Sequence, residues 1–176
     1  RKEIENFWQQ IPPAEQTTVR VRRNDWVKRK SEIWRSYLEM FNKSEKSITI
    51  MCSYFLPGRL FRKKIAQAVK RGVKMKVILA GTSDIMIAKH AERYLYSWLL
   101  KNNIEIYEYQ ETVLHAKVAV ADSSWVTVGS YNVNNISAYA SLELNMDVRN
   151  PALARFTENE LEDIITRHCK QITTEN

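Results

Sequence analysis

Short apolar runs of strand length alternate with segments of helical periodicity through the middle of the chain. The stretches SITIMCSYF from Ser47, VKMKVILAG from Val73 and IEIYEY from Ile104 are typical of strands buried in a sheet. Between the strands that begin at Ser47 and Val73, apolar residues such as Phe61 and Ile65 recur at helical spacing. A similar helical pattern precedes the strand at Ser47. Strand–helix–strand units followed by a hairpin favour an α/β fold, and we predict a three-layer α/β/α sandwich with a mixed central sheet.

Residues that favour helix ends divide these segments. Gly72 is expected to stop the second helix, Asp84 to cap a long third helix, and Asn150 with Pro151 to begin the last one. A short edge strand is predicted over Val19–Arg22. The third helix is predicted to bury an apolar face made of Ile87, Ala91, Tyr94, Leu95 and Trp98.

The segment VLHAKVAVADSSWVTVGSYNVNNIS carries polar residues at fixed intervals between apolar runs. The alternation in LHAKVAVA places His115 and Lys117 on one face of a strand, and DSSW predicts a turn near Ser123. Asp122 lies beside this turn, too far from the other end of the hairpin to take part in chemistry there, and is expected to be a support residue. In such a hairpin the numbers of paired residues sum to roughly 246 or 247. The register gathers four polar residues at the end away from the turn: His115, Lys117, Ser130 and Asn132.

This group of side chains is suited to phosphate binding. An ammonium, an amide and a hydroxyl can donate hydrogen bonds to phosphate oxygens, while an imidazole acts as nucleophile or proton donor. Gly129 leaves room for the close approach of a bound group. Because only one imidazole is present and lysine is a poor metal ligand, we expect no metal site. We also expect no cofactor.

The composition limits the class of protein and its partners. A chain of 176 residues is expected to form a single domain over 1–176. Cys52 and Cys169 stand in no metal or redox spacing, which favours a reducing compartment, and no apolar run is long enough to span a bilayer. The net charge of +7 suits phosphates, anionic lipid headgroups or nucleic acid, unless the basic residues are merely solvated helix faces. They cluster at Arg20, Arg22, Arg23, Lys28, Arg29, Lys30, Arg59, Arg62, Lys63, Lys64, Lys70, Arg71, Lys74 and Lys76.

The polar positions also resemble a known signature. Every position specified by the HxKx4Dx6GSxN signature of the phospholipase D superfamily is occupied here, by His115, Lys117, Asp122, Gly129, Ser130 and Asn132. Four further blocks are similar to successive parts of the second half of bacterial cardiolipin synthases: MCSYFLP, AVKRGVKMKVILAGTSD, LLKNNIEIYEY and LELNMDV. The similarity runs from about Ser47 to Val148.

The resemblance implies a role for each matched residue. In this superfamily one imidazole attacks phosphorus to form a phosphohistidine, and a second imidazole protonates the leaving alcohol; His115 would be one of the two. Lys117 and Asn132 would bind the non-bridging phosphate oxygens, and Ser130 would add its hydroxyl. Glu143 lies 28 residues after His115, which matches the family acid that accepts a hydrogen bond from the histidine and fixes its tautomer.

One motif supplies half of a two-histidine site. His90 is predicted to be a surface residue and His168 a helix-terminal cation. The second imidazole would therefore come from a homologous N-terminal half or from a second copy of the chain. The start at Arg1 and the resemblance to a second half favour the first, so we expect the C-terminal half of a longer two-motif protein.

The function implied by the resemblance is that of a phosphatidyltransferase of cardiolipin-synthase type. It would transfer a phosphatidyl group, with phosphatidylglycerol as the expected lipid, to an alcohol. One alternative is a homodimeric phosphodiesterase or nuclease of the same fold, which would bind nucleic acid. Another is an inactive half that binds anionic membrane or packs on its catalytic partner. We expect a location at the bacterial cytoplasmic membrane, with this fragment itself soluble.

Overall fold

Nine strands form one mixed sheet in this computed structural model, which describes residues 17–82 and 86–173. Their order is β2-β1-β8-β7-β6-β3-β4-β5-β9. The β3–β4 and β4–β5 pairs are parallel and the other pairs are antiparallel. The strands are β1 Val19–Asp25, β2 Lys30–Ser31, β3 Ser47–Cys52, β4 Lys74–Ala80, β5 Ile104–Tyr109, β6 Lys117–Ala121, β7 Trp125–Gly129, β8 Leu142–Arg149 and β9 Cys169–Ile172.

Helices cover both faces of the sheet. Alternate residues of each central strand enter different cores: Ile50 packs with the α1 and α2 side, whereas Met51 packs with the α5 side. This arrangement confirms the predicted three-layer α/β/α fold. No helix in the described ranges is both long and apolar enough to cross a bilayer. The helices are α1 Glu32–Lys43, α2 Arg59–Lys70, α3 Met86–Lys101, α4 Asn135–Tyr139 and α5 Pro151–His168.

Most of the predicted boundaries are close to the observed ones. Gly72 follows the end of α2 with a φ of 100°, a left-handed conformation that glycine adopts without strain. The Asn150 side chain accepts a hydrogen bond from the Leu153 N–H and caps α5. The predicted edge strand is longer than expected and is not outermost, because β2 pairs on its other side. The predicted cap Asp84 lies outside the described residues.

The predicted apolar face of α3 is wrong at Ala91 and Tyr94, and the side chain of Ile87 lies outside the described residues. Tyr94 is 86% exposed, and Ala91 is also exposed, while Leu95 and Trp98 are only half-buried. The buried side chains of this helix include charged ones, because they neutralise each other over the ends of β4 and β5. From residue 89 to the end of the helix, the buried side chains are those of Lys89, Glu92, Tyr96 and Leu99.

One edge of the sheet collects the residues that matter for function. The strands β1, β3 and β7 end there, at Asp25, Cys52 and Gly129. The strands β6 and β8 begin there, at Lys117 and Leu142. We call this the site edge. The hairpin register agrees with the prediction, since β6 and β7 pair from Val118↔Val128 to Ala121↔Trp125.

Candidate active site

Lys117 lies at the centre of the site edge. It is the first residue of β6, pairs with Cys52 and is only 7% exposed. Its Nζ donates to the Ser53 Oγ at 2.9 Å and to the His115 carbonyl at 3.0 Å. Burial lowers the pKa of the Lys117 ammonium. An ammonium has three N–H donors, so one remains for a ligand.

His115 lies at the rim of the site. It precedes β6 in the loop 110–116, so the expectation that it shares a strand face with Lys117 is wrong. The buried side chain of Leu114 anchors the loop in the α5-side core. The imidazole is exposed and makes no hydrogen bond within the described part of the chain. Its nitrogens are therefore accessible to a phosphodiester.

Asn132 is held with its amide nitrogen available. The Oδ1 accepts a hydrogen bond from the Tyr54 N–H at 3.2 Å, and the Asn132 carbonyl accepts one from the Asn134 N–H at 2.8 Å. Because the oxygen is engaged by a backbone donor, the amide orientation is set and the Nδ2 group is left for an acceptor. Across residues 17–82 and 86–173, that nitrogen has no hydrogen-bond partner.

Ser130 and Glu143 form a pair of their own. The Ser130 hydroxyl donates to the Glu143 carboxylate and accepts a hydrogen bond from the Leu144 N–H at 3.0 Å. The Ser141 hydroxyl donates to the other carboxylate oxygen at 2.8 Å. The single proton of the Ser130 hydroxyl is thus committed to Glu143 rather than to a phosphate. The expected hydrogen bond from His115 to Glu143 is not formed among the described residues.

Gly129 makes room for protein rather than for a ligand. A Cβ built on it would lie 2.6 Å from the Asn145 Cα and would also collide with the Leu144 carbonyl oxygen. The close neighbour is therefore the backbone of β8, which corrects the reason given for this glycine from the sequence.

Asp122 lies at the opposite end of β6 from Lys117. Its carboxylate accepts hydrogen bonds from the N–H groups of Glu45, Lys46 and Ser47 at 2.8–3.0 Å. These contacts join the β6–β7 turn to the start of β3. Their geometry is the one expected of a support residue.

A buried charged cluster behind the site was missed by the sequence reasoning. The Lys89 Nζ contacts the Glu108 carboxylate at 2.8 Å, the Tyr96 hydroxyl at 2.9 Å and the Glu92 carboxylate at 3.3 Å. Glu92 accepts a hydrogen bond from the Phe55 N–H at 2.9 Å, and burial raises the pKa of Glu92. In sequence, Lys89 and Glu92 have the spacing of an ordinary surface ion pair on a helix, so nothing signalled their burial.

This cluster braces the loop that follows β3. Three successive residues of the loop contact site groups: the Ser53 hydroxyl accepts from Lys117, the Tyr54 N–H donates to Asn132, and the Phe55 N–H donates to Glu92. The loop therefore fixes the ammonium and the amide relative to each other.

The other two histidines lie outside this group. The sequence contains three histidines in total. His90 is exposed on α3, and His168 ends α5 with its Nδ1 at 3.2 Å from the Glu111 carboxylate. Neither hydrogen-bonds to the residues around Lys117.

The three-layer fold, with a histidine and a lysine entering one hairpin strand and an asparagine after the other, defines a phospholipase D-like domain. Residues 37–165 match the family described as "Cardiolipin synthase, PLD-like domain". The chain belongs to this family.

Relatives and solved structures agree with this assignment. Cardiolipin synthase B of Salmonella typhi is 35% identical over 143 residues, which cover 81% of this chain and 35% of that protein. The chain thus spans about a third of the length of the relative. Nuc from Salmonella typhimurium, a phospholipase D family member, matches with a TM-score of 0.75 at 19% identity over 90% of this chain and all of that one. Phosphatidylserine synthase from Haemophilus influenzae Rd KW20 matches with a TM-score of 0.68 at 14% identity, over 89% and 40% of the two chains.

Proposed function

We propose that this chain is one catalytic half of a phosphatidyltransferase of cardiolipin-synthase type. The carrying observation is the arrangement at the site edge: within residues 17–82 and 86–173, the buried Lys117 ammonium has one free donor and the Asn132 amide nitrogen has no partner, and the His115 imidazole is exposed. Two positive or polar donors on one side of a phosphodiester would stabilise the charge that builds up on its non-bridging oxygens. The likeness to cardiolipin synthase B supports the choice of lipid chemistry.

The reaction then proceeds by two displacements at phosphorus. In the first, one imidazole nitrogen forms a bond to phosphorus as the bond from phosphorus to the glycerol oxygen breaks, and a second imidazole gives that oxygen its proton. In the second, the same imidazole takes a proton from an acceptor hydroxyl. The acceptor oxygen then bonds to phosphorus as the phosphorus–nitrogen bond breaks. With two phosphatidylglycerols, the products are cardiolipin and glycerol.

Within this chain, Lys117 and Asn132 would hold the phosphoryl oxygens through both steps. His115 would supply one of the two imidazoles. Glu143 would tune this region through the charge it places beside Lys117, which favours the ammonium form, and through its contact with Ser130. We retain its proposed role in orienting His115, which requires the imidazole to rotate toward the carboxylate on substrate binding.

The second imidazole would come from a homologous half of a longer protein. A strip of exposed apolar side chains runs from the site along the α5-side face of the sheet, beginning next to Ser130, whose hydroxyl accepts from the Leu144 N–H. Such a strip in contact with an incomplete site is suited to packing against the missing half. It comprises Val21, Val128, Leu144 and Met146.

The test is a substrate panel on the purified protein, with its mass in solution measured. Phosphatidylglycerol in mixed micelles should give cardiolipin and glycerol once the complementary half is supplied, and the chain alone should be silent as a monomer. Met146→Glu, which places a charge in the apolar strip, should prevent pairing and abolish turnover. Cleavage of plasmid DNA by a homodimer, without lipid turnover, would replace this proposal with the phosphodiesterase alternative. Turnover by a monomer would refute the half-site argument.

A further inference from the structure

The turn between β1 and β2 exposes an unusual group of side chains. Residues Trp26–Arg29, here called the tip, project from the site edge, since β1 ends at Asp25 opposite Leu142, the first residue of β8. Trp26 is 59% exposed and Val27 is 65% exposed. We propose that the tip docks the protein on an anionic lipid bilayer, with Trp26 and Val27 inserted among the headgroups. This inference rests on the proposed lipid function.

The tip is built as a fixed turn. The buried Asp25 carboxylate accepts a hydrogen bond from the Lys28 N–H at 2.9 Å, and Asp25 pairs with Lys30 across the turn. Arg29 takes a left-handed φ of 52° that closes the turn. The backbone that carries the apolar pair is therefore held in one turn conformation, and little backbone ordering entropy is lost when the tip binds.

The chemistry of the tip fits a lipid headgroup region. Indole rings concentrate at the membrane–water interface, where one end of the ring is apolar and the N–H remains hydrated. Three exposed cations surround the apolar pair, and each basic residue near an anionic leaflet strengthens binding by about fivefold. They are Lys28, Arg29 and Lys30. Valine gains nothing on a phosphodiester backbone, so the pair favours a lipid surface over nucleic acid.

Other exposed apolar side chains lie around the same site. Ile136 and Tyr139 belong to α4, which connects β7 to β8 at the site edge, and Leu142 opens β8. Val113 lies two residues before His115 and is also exposed. A bilayer seated on the tip and on these residues would present lipid phosphates beside the exposed imidazole of His115. The surface thus delivers a substrate as well as binding a membrane.

The test is sedimentation of this chain with sucrose-loaded vesicles of phosphatidylcholine alone and of phosphatidylcholine mixed with phosphatidylglycerol. Binding should require the anionic lipid. The double change Trp26→Ser and Val27→Ser should weaken binding by at least about tenfold because apolar burial is lost. The pair Lys28→Gln and Lys30→Gln should weaken it by at least about tenfold at low salt. Circular dichroism spectra and melting temperatures should be unchanged, since these side chains are exposed.

Two control variants distinguish binding by the tip from nonspecific hydrophobic binding and from the effect of net charge. Phe156→Ser removes an apolar side chain of α5 that is 62% exposed and should leave binding unchanged. Lys70→Gln with Lys74→Gln removes two exposed cations, one at the end of α2 and one at the start of β4. The start of β4 lies about 20 Å from the site edge, beyond the Debye length, so this change should alter binding less than about threefold.

The outcomes decide the proposal independently of catalysis. Equal loss of binding in the tip and control variants would overturn the proposal, as would unchanged vesicle binding in the tip variants. Tip variants that lose DNA binding but retain vesicle binding would identify nucleic acid as the occupant instead. If the tip variants lose vesicle binding while the chain with its complementary half fails to make cardiolipin, the docking surface stands and the proposed reaction fails.

Discussion

Asp122 belongs to the HxKx4Dx6GSxN signature, but its position predicts a purely structural effect. It accepts three backbone hydrogen bonds from the segment that precedes and opens β3. Asp122→Asn keeps one oxygen acceptor and tolerates the left-handed φ of 51°. Asp122→Ala removes every acceptor and adds strain at that φ. Asp122→Ala should therefore destabilise the fold more than Asp122→Asn, and both variants should be less stable than the wild type.

The size of the effect follows from these contacts. Two of the three hydrogen bonds are exposed and one is partly buried, so their joint loss should cost about 2 kcal/mol. The left-handed strain in alanine adds about 1 kcal/mol. For a domain of this size each kcal/mol lowers the melting temperature by about 2–4 °C, which gives about 6–12 °C for Asp122→Ala. Asp122→Asn should lie near half of that.

The assay pairs thermal unfolding with turnover per folded molecule. Turnover by the protein with its complementary half should stay within about twofold of wild type below the melting temperature, because β6 separates Asp122 from Lys117 by roughly 15 Å. Ser124→Ala, beside the same turn, is the matched control and should change neither quantity. An unchanged melting temperature in Asp122→Ala would refute the structural reasoning, and a loss of turnover comparable to that of a His115 variant would assign Asp122 to the chemistry.

Further outcomes are expected at Lys89, Lys117 and Glu143. Lys89→Met should destabilise the fold by about 3–5 kcal/mol in urea unfolding, because two buried carboxylates lose their shared cation, whereas Arg93→Gln should cost under about 1 kcal/mol. Burial lowers the pKa of Lys117, so sulfate affinity measured by calorimetry should fall as the pH rises toward the ordinary pKa of lysine. The Lys117→Arg variant should keep its sulfate affinity over the same pH range. Over the same interval the unfolded chain binds more protons, so the Lys117 contribution to stability should increase with pH. Glu143→Gln should reduce turnover more than it reduces the melting temperature, and equal losses would contradict its catalytic role.

The sequence predicts the layers of the fold because strands and helices bury faces of different periodicity. The runs from Ser47, Val73 and Ile104 are all buried strands, and the hairpin register follows from the length of its turn. The strands β2 and β9 and the helix α4 are short and lack a periodic apolar signal. Their positions depend on pairing with distant parts of the chain.

The residue types of the site were predictable, but their contacts were not. Lys117 and Asn132 lie at one end of the hairpin, as the register requires. The sequence could not show that Ser130 bonds to Glu143 or that Gly129 faces the backbone of β8, since both depend on how β8 crosses β7. The cluster around Lys89 was hidden because buried charges follow no hydropathy pattern.

The central claim is that His115 carries out chemistry on a lipid phosphate. The direct measurement is cardiolipin formation from phosphatidylglycerol by the protein with its complementary half, comparing wild type with His115→Asn. Because the imidazole is exposed and makes no hydrogen bond in the described chain, the variant should fold and melt like the wild type. Cardiolipin formation should fall by at least about 10³-fold. A properly folded His115→Asn protein that makes cardiolipin within about tenfold of the wild-type rate would contradict the account.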